Sequence, residues 1–311
     1  VTIGVFDGVH RGHQVTIGRA VERARELGLP TVVLTFDPHP SEVVRPGSHP
    51  AMLTSPRYKA ELLEQLGVDV ELVLPFTLAL SQMSPAEFVH TVLVEELRAA
   101  VVIVGENFHY GHKQAGSVGT LLESGRTFGF SVESVPVSAS EDRTTWSSTY
   151  VRSCVLSGDV EGATRALGRE HRLEGTVVRG DARGREIGFP TANLDPLPWS
   201  AVPSDGIYAG HLVRGAVVGS GAGSTAGSAA GSAAGSVALP AAISIGTNPT
   251  FDGDERRVEA YVLDFSGDLY GERIGLTFTA RLRDTLRFDG VESLVEQMHK
   301  DVERTRELTG A

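Results

Sequence analysis

His10 and His13 are separated by Arg11 and Gly12, and they follow directly on a strand-like run, Val1–Phe6, and a turn through Asp7 and Gly8. One helical turn apart, both imidazoles can donate to phosphate oxygens, and Gly12 lets the backbone come close. A strand that turns through glycine into a helix also gathers backbone N–H groups at one point, which suits an anion. Donors aimed at charge developing on an α-phosphate and a leaving pyrophosphate would stabilise in-line nucleotidyl transfer with no covalent intermediate. Taken alone, the tetrapeptide also fits two surface histidines. A zinc site is disfavoured, because four ligands are wanted and no Cys/His cluster accompanies the pair.

Other segments offer matching chemistry. Phe36-Asp37-Pro38-His39-Pro40 and Gly105-Glu106-Asn107-Phe108 each follow an apolar run, where ligand loops of open parallel sheets lie, although a proline loop and a glycine turn would look the same. Ser147-Ser148-Thr149-Tyr150-Val151-Arg152 reads as a helix start whose hydroxyls and guanidinium can grip a triphosphate or simply cap the helix. Further on, Gly180, Gly184 and Gly188 allow tight wrapping around an anion. Thr191 and Asn193 then place a hydroxyl and an amide on one side of an extended segment, as neutral oxygen donors for Mg²⁺ carried by a nucleotide. A polar turn in a glycine-rich hairpin would also account for them. Glu259 shares a strand face with Tyr261 and Leu263, so it is either a general base or a cross-strand ion-pair partner.

The elements that must carry these residues fall into two halves. In the first, strand-like runs at Val1–Phe6, Thr31–Phe36, Val70–Leu74, Val101–Val104 and Phe130–Val135 alternate with helical patterns. These patterns include Ile17, Ala20, Val21, Ala24 and Leu27, then Pro85–Leu97 and Ser117–Phe128. This alternation predicts a parallel sheet covered by helices. From Leu173 onward, short strands at Glu174–Val178, Ile207–Val213, Ala241–Ile245, Val258–Asp264 and Arg273–Leu282 predict an antiparallel barrel. A closing helix would present Val291, Leu294, Val295, Met298 and Val302 on one face. The expected domains are 1–168 and 173–311, the second interrupted by a linker-like Gly/Ala/Ser insertion at 215–237.

Composition narrows the options. A chain of 311 residues with 41% hydrophobic and 22% charged residues is ordinary for folded domains. A net charge of −11 argues against non-specific binding to nucleic acid or anionic membrane. The single cysteine, Cys154, excludes an intrachain disulfide. No apolar run reaches the ~18 residues of a membrane span. The chain opens inside a strand-like run, which implies residues before Val1, and a cytoplasmic location is the expectation.

In their order and spacing, TIGVFDGVHRGH, TFDPHP, VGENFHYG and SSTYVR resemble the adenylyltransferase module of bacterial FAD synthetases, itself similar to nucleotidylyltransferases with an HxGH signature. The resemblance implies that His10 and His13 stabilise the transferring phosphates, with Gly4, Phe6 and Gly12 in the ATP loop. It places Asn107, Ser148, Thr149 and Arg152 on ATP phosphates, and Phe36, Asp37 and Tyr110 at the flavin. Thr145 stands where the family often carries Arg or Lys, with Arg143 nearby. GTVVRGDARGREIGFPTANL, GIYAG, ISIGTNPTF, VEAYVLDF and GDLYGERI resemble the riboflavin kinase domain, a six-stranded antiparallel barrel. That resemblance implies Thr191 and Asn193 as Mg²⁺–ATP ligands, Glu259 as base for the ribityl 5′-hydroxyl, and Gly180, Gly188 and Pro190 as the nucleotide loop, with Asn248 near the site. Tyr261 stands where the family often has His.

Together the segments resemble the bifunctional bacterial riboflavin kinase/FMN adenylyltransferases. The resemblance implies riboflavin, FMN and ATP as substrates, and it leaves a homo-oligomer open. The competing expectations are transfer to another phosphorylated acceptor, for which a kinase barrel has no use, and a nucleotide-binding sensor without catalysis, against which His10, His13 and Glu259 stand.

Overall fold

The computed structural model describes residues 1–136, 146–180, 184, 187–215, 237–250 and 253–311, with backbone alone for 248–250 and 253–255. Expectations placed on Arg143, Thr145, the insertion and the Asn248 side chain lie outside the described residues. The chain forms two compact units, Val1–Val151 and Arg152–Ala311.

In the first unit, β1 (Thr2–Ile3), β2 (Val32–Asp37), β3 (Val70–Pro75), β4 (Val101–Gly105) and β7 (Ser131–Val135) form a parallel sheet in the order β3-β2-β1-β4-β7. Val33, Leu34, Val102 and Val104 are fully buried, as strands covered on both faces require. A separate antiparallel pair joins β5 (His109–Tyr110) to β6 (Gly116–Ser117), and α2 (Pro40–Val44), α3 (Pro56–Gln65), α4 (Leu78–Gln82), α5 (Pro85–Phe88) and α6 (Val118–Phe128) lie between the strands. Helix α1 (Arg11–Leu27) starts at the His10 N-cap, ends at Gly28 in the left-handed region, and buries Ile17, Ala20 and Val21. The expected strand Val1–Phe6 stops early, because Phe6, Gly8 and Val9 take φ of +52°, +82° and +41°. A left-handed stretch cannot continue a strand. The expected helix Pro85–Leu97 begins on a Ser84–Glu87 capping box and continues in wider turns, with Leu97 N–H donating to the Val92 carbonyl.

The second unit is a closed antiparallel barrel of β8 (His171–Val178), β9 (Ala192–Pro196), β10 (Gly206–Arg214), β11 (Val237–Thr250), β12 (Gly253–Val262) and β13 (Arg273–Arg283). The strand order is β10-β11-β12-β9-β8-β13. Its interior holds Leu173, Tyr208, Leu212, Ile243, Ile245, Leu276 and Phe278. The helix α8 (Val160–Leu167) lies in this unit, and Val160 joins the barrel core. The closing helix α9 (Val291–Thr309) is clasped to the end of β13 by Arg283, whose guanidinium donates to both Asp301 oxygens at 2.7–3.2 Å. Val291 was expected on the packed face but is 59% exposed, since it stands at the first residue of the helix. Leu294, Met298 and Val302 face the barrel and line a cavity together with Ile207 and Ile243. The α/β domain followed by an antiparallel barrel with a terminal helix is the architecture the sequence implies. Among the described residues no helix is long and apolar enough to cross a membrane.

Candidate active sites

The strand order of the first unit reverses between β1 and β4, and ligands of such sheets bind beyond the carboxyl ends of the strands at that point. The His10–His13 turn follows β1, and Asn107 follows β4, so topology brings both to this edge. The two imidazoles stack at 3.6 Å between centroids. His10 Nδ1 accepts from the His13 backbone N–H at 3.4 Å, which puts the proton of its neutral ring on Nε2. Burial, with His10 beside it, holds the His13 imidazole well below its ordinary pKa. His13 Nδ1 is buried and lacks a hydrogen-bond partner.

The surrounding scaffold is specific. The Phe6 ring is buried and meets His13 edge-on at 5.2 Å, so Phe6 supports the histidine from beneath. Gly4 leaves room for that ring, and its N–H is bonded to the Leu34 carbonyl. A Cβ on Gly12 would lie 3.1 Å from the His10 ring and 3.3 Å from the Trp146 carbonyl. The Arg11 guanidinium sits 5.4 Å from the Trp146 ring centroid. Helix α7 (Ser148–Ser157) starts here too, and Ser148 Oγ donates to the Asp7 carbonyl at 2.8 Å. Thr149 is exposed at this helix start, and Arg152 follows one turn on. Two helix N-termini therefore converge on the same turn, each a source of positive dipole and unpaired N–H groups.

Asp7 is a positioning residue that sequence reasoning missed. Its buried carboxylate accepts from the N–H of Leu53 and of Thr54, tying the loop before α3 (Pro56–Gln65) to the histidine turn. The signal was an acid placed between a strand and a glycine. Phe36 is half-buried against Phe76 at 5.4 Å, and Asp37 is exposed at the end of β2. Asn107 is exposed beyond β4. Tyr110 is 7% exposed, stacked on Phe108 at 5.5 Å and packed against Phe88. Its ring fills the space beside Gly116 where a Cβ would stand.

In the second unit, Glu259 on β12 faces Asn193 on β9 in register, and Thr191 Oγ1 donates to Glu259 Oε2 at 3.2 Å. Asn193 also occupies the space beside Gly180 where a Cβ would stand, so the start of the glycine loop closes directly onto this amide. Gly188 takes φ +86°, and Pro190 is exposed beside it. Two cavities meet at Thr191. One, of about 430 Å³, is lined by Phe189, Thr191, Glu259, Tyr261, Leu294 and Met298. The other, of about 480 Å³, is lined by Arg179, Pro190, Thr191, Val262, Asp268 and Tyr270. Among the described residues no cluster of three or more His, Cys, Asp or Glu is placed to hold a metal ion.

A helix-initiating histidine turn at a parallel-sheet switch point, followed by a barrel with a carboxylate in a cavity wall, is the arrangement of a two-domain transferase. Residues 1–150 match the FAD synthetase family, and residues 167–309 match the riboflavin kinase family. A bifunctional riboflavin kinase/FMN adenylyltransferase of Pseudomonas fluorescens is 37% identical, over 99% of this chain and 92% of its own length. Its namesake in Listeria monocytogenes is 38% identical, over 98% and 91%, and the one in Escherichia coli 34%, over 100% and 92%. A crystal structure from Streptococcus pneumoniae titled as a macrolide-efflux protein superposes with a TM-score of 0.84 at 31% identity, covering 98% of this chain and 93% of that one. The chain belongs to the bifunctional riboflavin kinase/FMN adenylyltransferase family.

Proposed function

We propose that the barrel phosphorylates the ribityl 5′-hydroxyl of riboflavin, giving FMN and ADP, and that the parallel-sheet unit joins AMP from a second ATP to FMN, giving FAD and pyrophosphate. The observation that carries the reading is the Thr191–Glu259 contact, in which Glu259 lines one cavity and Thr191 lines that cavity and its neighbour. The cavity bearing Phe189, Tyr261, Leu294 and Met298 suits a flat aromatic ring. The one bearing Arg179 and Pro190 adjoins the glycine loop and suits the nucleotide. The 5′-hydroxyl must then lie beside Glu259, which takes its proton as the oxygen attacks the γ-phosphorus.

Mg²⁺ fits this site as a cation delivered with the nucleotide. The Thr191 hydroxyl and the Asn193 amide are hard neutral oxygen donors, packed together by Gly180, with the Glu259 carboxylate adjacent. When bound, it neutralises charge on the phosphate oxygens.

At the other site the chain supplies donors. His10 Nε2–H and the His13 imidazole stacked on it can meet phosphate oxygens, and the N-termini of α1 and α7 add N–H groups. Asn107, Ser148, Thr149 and Arg152 hold ATP phosphates, and Phe36 with Asp37 meets the flavin. Tyr110 acts from the core by fixing Phe108. The enzyme works in the cytoplasm with flavin as substrate and product. Incubation with riboflavin, ATP and Mg²⁺, with FMN and FAD resolved by chromatography, tests the reading: both products should form in sequence, and the absence of either removes the corresponding site.

A further inference from the structure

The ammonium of Lys59, on the first turn of α3, reaches two strands at once, and its side chain is only 12% exposed. Nζ donates to Thr35 Oγ1 of β2 at 3.1 Å and lies 3.5 Å from Glu71 Oε1 of β3. In the β2–β3 register Thr35 stands opposite Val73, two positions after Glu71, so both partners lie on one face of the sheet. Leu62 and Leu63 of α3 pack on Val33 of that same face. Glu71 Oε1 is buried and accepts no hydrogen bond, so the neighbouring ammonium offsets its charge. An ammonium can only donate, so the fully buried Thr35 hydroxyl accepts from Lys59 and gives its own proton to the Val5 carbonyl, at 3.1 Å. Val5 immediately precedes Phe6, whose backbone turns left-handed at φ +52° and whose ring meets His13 edge-on at 5.2 Å.

We propose that Lys59 is a positioning residue for adenylyl transfer, acting through Thr35 and the Val5 carbonyl on His13. The proposal rests on the assignment of that reaction to this unit. The ammonium, held by Glu71, orients the Thr35 hydroxyl, and the hydroxyl fixes the Val5 carbonyl. The peptide from Val5 to Phe6 is planar, so fixing its carbonyl fixes the backbone from which the Phe6 ring rises beneath His13. A charged donor at the head of the chain strengthens the bond that follows it. On the other side of Phe6, the Asp7 carboxylate is tied to the amides of Leu53 and Thr54 just before α3. The helix and its approach therefore hold the histidine turn from both ends. Lys59 and Thr35 act from beneath the turn, so breaking the chain misplaces a transition-state donor and leaves the contacts that bind ATP in the ground state. A displacement of about 1 Å can cost about 10²-fold in rate.

The test measures FAD formation from supplied FMN, ATP and Mg²⁺ on the full chain, with FMN formation from riboflavin as the control. Lys59→Met keeps the apolar stem but leaves Glu71 as an unpaired charge, so it is combined with Glu71→Gln. Lys59→Met/Glu71→Gln should lower kcat for FAD about tenfold or more, with the ATP KM within about threefold of wild type and FMN formation unchanged. Thr35→Val should show the same loss, whereas Thr35→Ser, which keeps the hydroxyl, should retain kcat within about threefold. Adding Thr35→Val to the charge variant should lower kcat little further, because the two substitutions break one chain. A folded charge variant with wild-type kcat overturns the proposal, and so does equal kcat in Thr35→Val and Thr35→Ser. The Thr35 pair decides alone if the charge variant does not fold. An ATP KM raised more than about tenfold at unchanged kcat also overturns it, by making Lys59 a contact of the nucleotide. A wild type that makes no FAD from FMN overturns the assignment of the unit itself, an outcome that needs no variant to be seen.

Discussion

The Thr191 hydroxyl donates to Glu259 Oε2 across 3.2 Å, although 68 residues separate the two in the chain. The pairing of β9 with β12 accounts for it, since Asn193 stands opposite Glu259 and Thr191 lies two positions before Asn193. A hydroxyl, an amide and a carboxylate thus meet on one face of the β9–β12 pair, and Thr191 lines both cavities. Glu259→Gln preserves shape and hydrogen bonding but removes the base. Kinase kcat should fall by roughly 10²–10⁴-fold, with the riboflavin Kd little changed. Steady-state turnover and equilibrium binding on one preparation check this, and near wild-type turnover would make Glu259 a structural strand carboxylate.

Gly12 separates stability from activity. It lies in helix α1, where alanine is intrinsically favoured over glycine by about 1 kcal/mol. The added methyl group would press on the His10 ring at 3.1 Å and the Trp146 carbonyl at 3.3 Å. Gly12→Ala should therefore leave Tm within a few degrees of wild type while FAD formation drops about tenfold or more, because a small misplacement of a transition-state donor is costly. FMN formation should be unaffected. Melting curves and FAD synthesis from supplied FMN decide it, and unaltered FAD synthesis would remove the close-approach argument.

His171 gives the barrel a pH signature. Burial lowers its pKa from 6.5 to about 4, outweighing the bond from Nε2 to the Ala201 carbonyl. The unfolded chain therefore binds more protons than the folded one between those values. Stability from this group is complete above pH 6.5 and is lost as pH falls toward 4, by at most about 1.4 kcal/mol per pH unit. His171→Gln can still donate to the carbonyl but cannot titrate. Urea unfolding between pH 6.5 and 4 should show a shallower loss in the variant than in the wild type, and parallel curves would mean that His171 does not titrate in this range.

Much of this was legible in the sequence because the chemistry sat in short segments. His10 and His13 stand within one helical turn, and the Ser148 helix start needs only local spacing. Strand and helix alternation carried the sheet, because every β-α-β crossover leaves the same periodic mark. What the sequence hid depends on distance. His299 and Phe189 meet 110 positions apart with no shared pattern. Strand β9 is short and ends in Pro196, so it read only as an extended segment. Tyr110 follows a glycine loop, where an aromatic fits a ligand wall and a core equally well, and only burial distinguishes them. Asp7 looked like part of a turn, since its partners, the amides of Leu53 and Thr54, carry no side-chain signal.

The central claim is that two separate sites act in sequence on one flavin. The most direct measurement follows FMN and FAD over time for the wild type, His13→Ala and Glu259→Gln, each supplied first with riboflavin and then with FMN. His13→Ala should accumulate FMN from riboflavin, with FAD formation reduced roughly 100–1,000-fold from either substrate. Glu259→Gln should make little FMN from riboflavin yet convert supplied FMN to FAD at the wild-type rate. If either folded variant loses both activities together, the two chemistries share a site, and the account is contradicted.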